Sequence, residues 1–364
     1  MVAQEEDSDL IRNDDLPYPI VIADDARPAV AAFIRERGYS YVVVCDEQPD
    51  VLRVARSLAS RTRGALAVIP FALGERRKRF ATLERVHEAL LAAGADRSTL
   101  VVGVGGGVAS DLFGFAAATY MRGVPYAHVA TTLVAMADAA IGGKNGVDLQ
   151  SGKNLAGTFR DPVAVFAHVD ALQTLPYRLL REGLAEIVKA AIIEGGDFYE
   201  SIETLAPHEF WRWPWVEVVA EAVKVKTMIV AEDRLESGAR ELLNFGHTFA
   251  HGLELASGFC ITHGAAVALG MRAAGLLAMR TGRFSTEEHL RVLGTLTLLG
   301  MPLRTSVKPD AALAAMQSDK KKRNGRLRFV LPRAIGDVEF GIEVPNQSVK
   351  SVLTRLTQMP DAAG

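Results

Sequence analysis

The sequence predicts an open α/β domain built on a parallel sheet, followed by a mostly α-helical domain. Three observations carry that expectation. Short apolar runs alternate with helix-patterned segments through the first half, a glycine cluster joins one such run to a helix, and long helix-patterned segments dominate after about Pro176. A chain of 364 residues is long enough for two such domains. The expected extents are an acidic mobile tail over residues 1–17, the α/β domain over 18–174 and the helical domain over 175–364.

The elements follow in order. MVAQEEDSDLIRNDDLP lacks a basic region followed by an apolar core, so it is not read as a secretory signal. YSYVVVCD, Tyr39 to Asp46, is a buried-strand run; DVLRVARSLASR has apolar residues at helical spacing; ALAVIPF is strand-like again. RFATLERVHEALLAAGAD is an amphipathic helix with Gly94 as its C-cap. STLVVGVGGGVASDLFGFAAATYM reads strand, glycine turn, helix, and VPYAHVATTL is a further strand. Beyond a boundary near Leu172 to Tyr177 come LLREGLAEIVKAAIIE, WVEVVAEAVKVKTMIVAED, GARELLNFGHTFAHGLELAS and HGAAVALGMRAAGLLAMRTG, each patterned as one long helix. GRLRFVLPRAIGDVEF has the form of a hairpin, and the tryptophans of FWRWPWVE suit packing at a domain or subunit surface.

Composition narrows the function classes. The formal net charge is −2, which argues against nucleic acid or an anionic membrane as partner, so any anion site needs locally placed cations. The two cysteines, Cys45 and Cys260, form no metal or redox spacing and suit a reducing compartment. No apolar run reaches the ~18 residues of a membrane helix, and a cytoplasmic protein is expected.

Four stretches carry chemistry. In VVGVGGGVASD, glycines between a strand and a helix let backbone amides approach a pyrophosphate, although such a turn also serves simply to reverse the chain. Asp46, ending VVVCD, suits either a ribose hydroxyl or a helix N-cap. In TTLVAMADAAIGGKNGVDLQSGKNLAGTF, Lys144 and Lys153 each follow a glycine, as in an oxyanion site on a polar loop, with solvated surface charge as the plain alternative. Glu186 and Lys189 in GLAEIVKAA share a helix face, as a functional pair or an ordinary ion pair. Finally, His247 and His251 of ELLNFGHTFAHGLE lie one helical turn apart, with His263 in ITHGAAVALGM. With Glu186 these make four donors for the three ligand positions of a zinc site that keeps one position open, and spacing alone does not choose among them.

Together, GGGVASDLFGFAAATYMRGV, the TTLVAMADAAIGGKNGVDLQSGKNLAGTF segment, GLAEIVK, LLNFGHTFAHGLE, HGAAVALGM and SDKKKRNGRLRFVLPRAIG resemble the 3-dehydroquinate synthase family of sugar phosphate cyclases, in order from about Asp46 to Val338. The resemblance implies an α/β N-terminal NAD-binding domain with a Rossmann-like parallel sheet, a mostly α-helical metal-binding domain, and a homodimer. It implies Zn2+, with Co2+ as a possible substitute, held by Glu186, His247 and His263, leaving His251 near the substrate phosphate. NAD contacts carry over to Asp46, Glu75, Lys78, Gly106, Gly107, Val108, Asp111, Thr131, Thr132, Lys153 and Thr174. The sugar phosphate substrate carries over to Asp138, Lys144, Lys153, Asn154, Lys189, Lys226, Arg240, Asn244, His251 and Lys320, with Glu236 near a water chain and Arg122 crossing a dimer interface. Of these, Asp138, Lys144, Lys189, Glu236, Asn244 and His251 are the implied catalytic groups.

The implied reaction converts 3-deoxy-D-arabino-heptulosonate 7-phosphate to 3-dehydroquinate and phosphate. Its steps are transient oxidation by NAD, phosphate elimination, reduction, ring opening and aldol closure. An aminodehydroquinate synthase, or another cyclase of secondary metabolism, would keep nearly the same residues. A metal-dependent polyol dehydrogenase would have less use for so many cations, and a non-catalytic relative little use for an intact Glu186, His247 and His263. Three positions depart from the family pattern: Asn145 stands in place of a threonine, Leu179 in place of a glutamate, and Ala265 where HGE would put a carboxylate beside His263.

Overall fold

The computed structural model of the protein describes residues 10–150, 152–318 and 327–359. The chain divides into two compact units, Met1–Pro176 with Pro214–Thr227, and Tyr177–Trp213 with Met228–Gly364.

The first unit contains β1 (Leu10–Asn13), β2 (Ile20–Ala23), α1 (Arg27–Arg37), β3 (Tyr41–Asp46), α2 (Pro49–Arg61), β4 (Ala65–Phe71), α3 (Phe80–Ala92), β5 (Leu100–Gly105), α4 (Gly107–Thr119), β6 (Tyr126–Ala130), β7 (Lys144–Leu149), β8 (Gly152–Phe159) and β9 (Ala164–His168). Seven strands form one sheet in the order β1-β2-β9-β6-β5-β3-β4, parallel except for β1. Side chains alternate across it, as the pleat requires. Val42 and Val44 of β3 join Leu83, Leu112 and Phe113 on one face, while Tyr41, Val43 and Cys45 join Ile34, Leu58 and Phe166 on the other. Helices on both faces explain why the strands read as continuous apolar runs. Pro70 sits in β4, an edge strand, where a missing N–H costs no ladder bond. At the end of α3, Gly94 N–H donates to Leu91 O and Ala95 N–H to Leu90 O, both at 3.0 Å, a Schellman closure.

From β3 the chain proceeds outward to β4, whereas from β5 it proceeds the other way to β6. The carboxyl ends of β3 and β5 therefore flank a topological switch point, where open α/β sheets bind ligands. Asp46 ends β3, and the Gly105–Gly107 turn ends β5.

Three expectations are corrected here. Of the expected tail over residues 1–17, residues 1–9 lie outside the described residues, and Leu10–Asn13 are strand rather than tail, pairing antiparallel with Ile20–Ala23. The lysine-bearing segment is not a loop: β7 and β8 form an antiparallel hairpin with Lys144 opposite Phe159 and Leu149 opposite Gly152. Residues Pro214–Thr227, expected with the helical domain, group with the first unit. The Lys226 ammonium bonds the carboxylate and backbone carbonyl of Asp138, and Thr227 Oγ1 donates to Asp15 Oδ2 at 3.0 Å.

The second unit contains α5 (Tyr177–Glu194), α6 (Gly196–Leu205), the C-terminal end of α7 (Trp215–Glu232), α8 (His247–Ala256), α9 (His263–Arg280), α10 (Thr286–Leu298), α11 (Pro309–Ser318), the hairpin β10 (Arg328–Ala334) and β11 (Asp337–Glu343), and α12 (Asn346–Leu356). Helix α9 is buried nearly all round, and its Ala and Gly residues let α5, α8, α10 and α12 pack against it. Arg272 of α9 is buried and donates to the carbonyls of Leu303, Gln358 (2.9 Å) and Arg355 (3.3 Å), tying the C-terminal helix down. Trp213 is buried against Phe210, whereas Trp211 is 75% exposed.

The segment Gly238–Ser257, read as one helix, is two. A 3-10 turn over Ala239–Asn244 precedes α8, and Gly246 between them has φ 78°. A left-handed residue cannot continue a right-handed helix, so His247 stands at the start of α8 rather than inside a longer helix.

Candidate functional site

At the switch point the first N–H groups of α4 lack helical acceptors and face the end of β5, the arrangement that receives a pyrophosphate. Thr131 N–H donates to Gly105 O at 3.0 Å, which ties the segment after β6 to the glycine turn, and Thr132 Oγ1 accepts from Ala135 N–H at 3.3 Å. Asp46 Oδ1 accepts from Gln48 N–H at 3.2 Å, and burial raises its pKa above the usual carboxylate value. Gly106, Gly107 and Val108 form the turn and the first residues of α4; Thr174 Oγ1 donates to Ala171 O at 2.9 Å.

Lys78 is the centre of a second group. Its ammonium is buried, 2.8 Å from Asp111 Oδ2 and 3.7 Å from Asp148 Oδ1, and it bonds Asn154 Oδ1. Burial opposes its charge, but Asp111, Glu75 and Asp148 outweigh burial and hold its pKa above the ordinary value. Asn154 adopts φ 53°, and its N–H donates to Asp148 Oδ1 at 2.8 Å. Lys153, its neighbour on β8, pairs with Glu75 at 3.2 Å. The hairpin therefore presents Lys153 and Asn154 beside Glu75, Lys78 and Asp111. Lys226 and Asp138 meet in the same unit, and Lys144 opens β7 in an exposed position.

The second unit assembles the donor cluster. Ligand atoms of Glu186, His247 and His263 all lie within 4.8 Å of one another. Glu186 Oε1 is 3.1 Å from His263 Nε2 and 3.6 Å from His247 Nε2, while Glu186 Oε2 is 2.5 Å from Lys189 Nζ. His251, one turn further along α8, has its ring centre 5.6 Å from that of His247. Geometry thus groups three of the four candidate donors. It also shows the Glu186–Lys189 ion pair on α5, so the functional and the ordinary readings of that pair coexist.

Electrostatics suit a cation. Burial would raise the Glu186 pKa, but Lys189, His247 and His263 outweigh it and hold the carboxyl well below its usual range. Burial, with Lys189, pushes His247 well below its ordinary value, so its ring is neutral. Burial would lower His263 too, yet Glu186 and Glu254 raise it to about 10; a metal would displace that proton. The donor chemistry, two imidazoles and a carboxylate with one histidine 35% exposed, fits a tetrahedral divalent cation with an open position.

The loop before α8 is pinned by Asp233, whose carboxylate accepts from the N–H groups of Ser237 (3.0 Å), Gly238 (2.6 Å) and Arg240 (3.1 Å), lowering its pKa to about 2. Arg240 is buried and donates to Arg234 O at 2.6 Å. Asn244 Nδ2 donates to Glu236 Oε1 at 2.9 Å, and Glu236 itself holds φ 58°. Arg122 follows α4 at φ 67°, exposed. Lys320 lies outside the described residues.

The departures have structural settings. Asn145 Nδ2 lies 2.9 Å from Tyr126 Oη, 3.0 Å from Gly143 O and 2.9 Å from Arg160 O, contacts beyond the single hydroxyl donor of a threonine. Gly114 opposite leaves the room, since a Cβ there would fall 1.8 Å from Asn145 Oδ1. Leu179 is 36% exposed on α5, and nothing in the structure explains it. Beside Ala265, Gly264 N–H donates to Glu182 Oε2 at 2.5 Å, and His263 Nδ1 faces Glu254 Oε1 at 3.7 Å. Sequence reasoning had passed over Glu182, Glu254, Asp148 and Asp233. The available signal was weak: Glu254 falls two turns after His247 on the same helix face.

A family model described as 3-dehydroquinate synthase N-terminal matches residues 68–182, and its C-terminal counterpart matches residues 183–322. A 3-dehydroquinate synthase of Gloeobacter violaceus is 39% identical over 349 residues, covering 93% of this chain and 96% of that relative. One from Solibacter usitatus is 42% identical, covering 78% and 82%. Among solved structures, 2-deoxy-scyllo-inosose synthase complexed with carbaglucose-6-phosphate, NAD+ and Co2+ aligns with TM-score 0.85 at 26% identity, over 94% of this chain and 99% of that one. A 2-epi-5-epi-valiolone synthase from Streptomyces hygroscopicus with NAD+ and Zn2+ bound aligns with TM-score 0.82 at 29% identity, over 94% and 98%. An iron-containing alcohol dehydrogenase from Corynebacterium glutamicum, covering 96% and 97% with TM-score 0.65 at 14% identity, shares the fold.

Proposed function

The chain belongs to the 3-dehydroquinate synthase family, and from that premise we propose a reaction and a role for each residue placed above. The protein is a phosphate-eliminating cyclase: it converts 3-deoxy-D-arabino-heptulosonate 7-phosphate to 3-dehydroquinate and phosphate, using NAD and a divalent metal. The observation that carries this reading is the convergence of Glu186, His247 and His263 in a chain whose two halves both match the family.

When bound, NAD takes up and returns a hydride, and the metal acts as a Lewis acid toward the substrate oxygen it faces. Glu186 Oε and the two Nε2 atoms would hold the metal, and zinc is the ion this mixed donor set favours, with cobalt fitting the same atoms. The N-terminal amides of α4 would hold the pyrophosphate of NAD and Asp46 a ribose hydroxyl, supported by their place at the switch point. Lys78, paired with Asp111, would fix the glycine-turn side of that site, with Glu75, Thr131, Thr132 and Thr174 around it.

The substrate carries a phosphate and a carboxylate, and the whole chain has net charge −2, so recognition rests on local cations. Arg240 suits a planar carboxylate or phosphate, while Lys144, Lys153, Lys226 and Lys320 act as point charges. Glu236 orients the Asn244 amide, and Asp138 holds the Lys226 ammonium in place. His251 is assigned to the phosphate rather than to the metal, which is supported by the donor atoms that converge within 4.8 Å of one another being those of Glu186, His247 and His263. Arg122, exposed on a left-handed turn, is proposed to reach a partner subunit's site in a cytoplasmic homodimer. A polar tip presented on strained backbone is the kind of feature that a functional contact retains.

Phosphate release from 3-deoxy-D-arabino-heptulosonate 7-phosphate, with zinc and trace NAD and the product identified by NMR, tests the reading. Stoichiometric phosphate and 3-dehydroquinate without net NADH are expected. Release only from sedoheptulose 7-phosphate or glucose 6-phosphate would place the protein in another cyclase branch.

A further inference from the structure

Two histidine rings face Glu186 through Nε2, and each has a different oxygen nearest its Nδ1 among the contacts described. His247 Nδ1 lies 3.2 Å from the backbone carbonyl of Phe245, a contact that the chain provides because Gly246 turns it back on itself. His263 is the first residue of α9, and its Nδ1 faces Oε1 of Glu254 at 3.7 Å. Glu254 sits on α8, two turns beyond His247 and 3% exposed, in the packed seam between α8 and α9. Carboxylates are rarely buried so deeply unless paired, because desolvating the charge is costly.

We propose that Glu254 is a positioning residue for the metal centre, holding the His263 ring by Nδ1 so that Nε2 is presented to the cation beside Glu186. This inference rests on the metal-centre reading above. A carboxylate behind a ligand imidazole fixes the tautomer, sets the ring plane and makes the ligating nitrogen more basic. A backbone carbonyl does the first two and less of the third, so the two histidines of this site are unequal ligands.

A glutamate in place of Ala265 would put a carboxylate two residues after His263, and this chain has none there. The acid behind His263 instead comes from α8 and reaches the ring across the helix seam. Glu182 supports the same residue from another side, since its carboxylate accepts the Gly264 N–H and anchors the start of α9. His263 is thereby fixed in backbone by Glu182 and in ring orientation by Glu254.

The test is zinc affinity, measured by competition with a chromophoric chelator on the full chain, without substrate or NAD. Glu254→Gln keeps the shape of the side chain and removes its charge, so the metal-free protein keeps its circular dichroism and melting temperature. Its zinc affinity is expected to fall roughly 10-fold to 100-fold, the range typical of such outer partners. Glu254→Asp should recover part of the loss. The visible spectrum of the cobalt-loaded variant should shift as the field from His263 weakens, which a merely structural carboxylate would not cause. Wild-type affinity in the Gln variant, with an unchanged cobalt spectrum, overturns the proposal. If wild-type protein itself takes up no zinc or cobalt, the metal-centre reading fails instead, and the two failures are distinguishable.

Discussion

Nε2 of His263 lies 3.1 Å from Oε1 of Glu186, although the two residues are 77 positions apart and sit on different helices. The relationship is made by packing, because α5 and α8 both lie against α9. It brings a carboxylate and an imidazole close enough to share one cation, which neither helix could arrange alone.

Removing one donor should therefore empty the site. His263→Ala is expected to abolish stoichiometric metal binding and turnover together. Elemental analysis after dialysis checks the first and phosphate release the second; full activity in a variant verified to hold metal would refute the ligand assignment.

Gly246 sets where α8 begins. Its φ is 78°, and a Cβ there would come 3.0 Å from Met271 N. Gly246→Ala should destabilise the protein by more than ~1 kcal/mol and displace His247, lowering metal affinity as well. A chemical melt and chelator competition measure the two effects, and loss of stability with unaltered affinity would show that His247 is held by other contacts.

Gly114 and Asn145 should behave as a coupled pair. Gly114→Ala would drive a methyl group into the Asn145 amide and is expected to cost roughly 1–3 kcal/mol, the usual penalty for overpacking. Asn145→Thr in the same chain should relieve much of it, so that the double variant is more stable than the sum of the singles predicts. Strict additivity in urea melts would argue that the backbone shifts to absorb the methyl.

Two buried histidines outside the donor cluster predict acid sensitivity. Burial pushes His128 in the first unit and His289 in the second from 6.5 down to about 4. Between those values the unfolded chain binds protons that the folded chain refuses, so stability is fully present above about pH 6.5 and falls as pH drops toward 4. Each ring contributes on the order of 3 kcal/mol over that interval. His289→Met should flatten part of the decline in urea midpoint between pH 7 and pH 5, and an undiminished decline would exclude His289 as a source.

Much of the architecture was legible in the residues. Apolar runs such as Tyr41–Asp46 announce strands that are covered on both faces, and the glycines after Val104 announce a turn into a helix. Less visible were elements whose character depends on what they meet. Leu10–Asn13 carries little strand pattern and is strand because β2 lies beside it, and Lys144 and Lys153 sit on a hairpin whose glycines look like loop. The break at Gly246 was hidden because helical spacing continues through Gly238–Ser257, and one left-handed residue interrupts a helix without disturbing the apolar pattern around it.

By itself the sequence determined the alternation of strands and helices in the first half, the helical character of the second, the resemblance to a family and the set of possible ligands. Only the tertiary structure decided that donor atoms of Glu186, His247 and His263 converge within 4.8 Å of one another, and that a carboxylate on α8 comes to 3.7 Å from the His263 ring. The reason is physical: spacing along a helix specifies a face, to within a few ångströms, whereas ligation requires particular nitrogen and oxygen atoms to converge within one coordination sphere. That convergence comes from ring orientation and helix packing, which belong to no single segment of the chain.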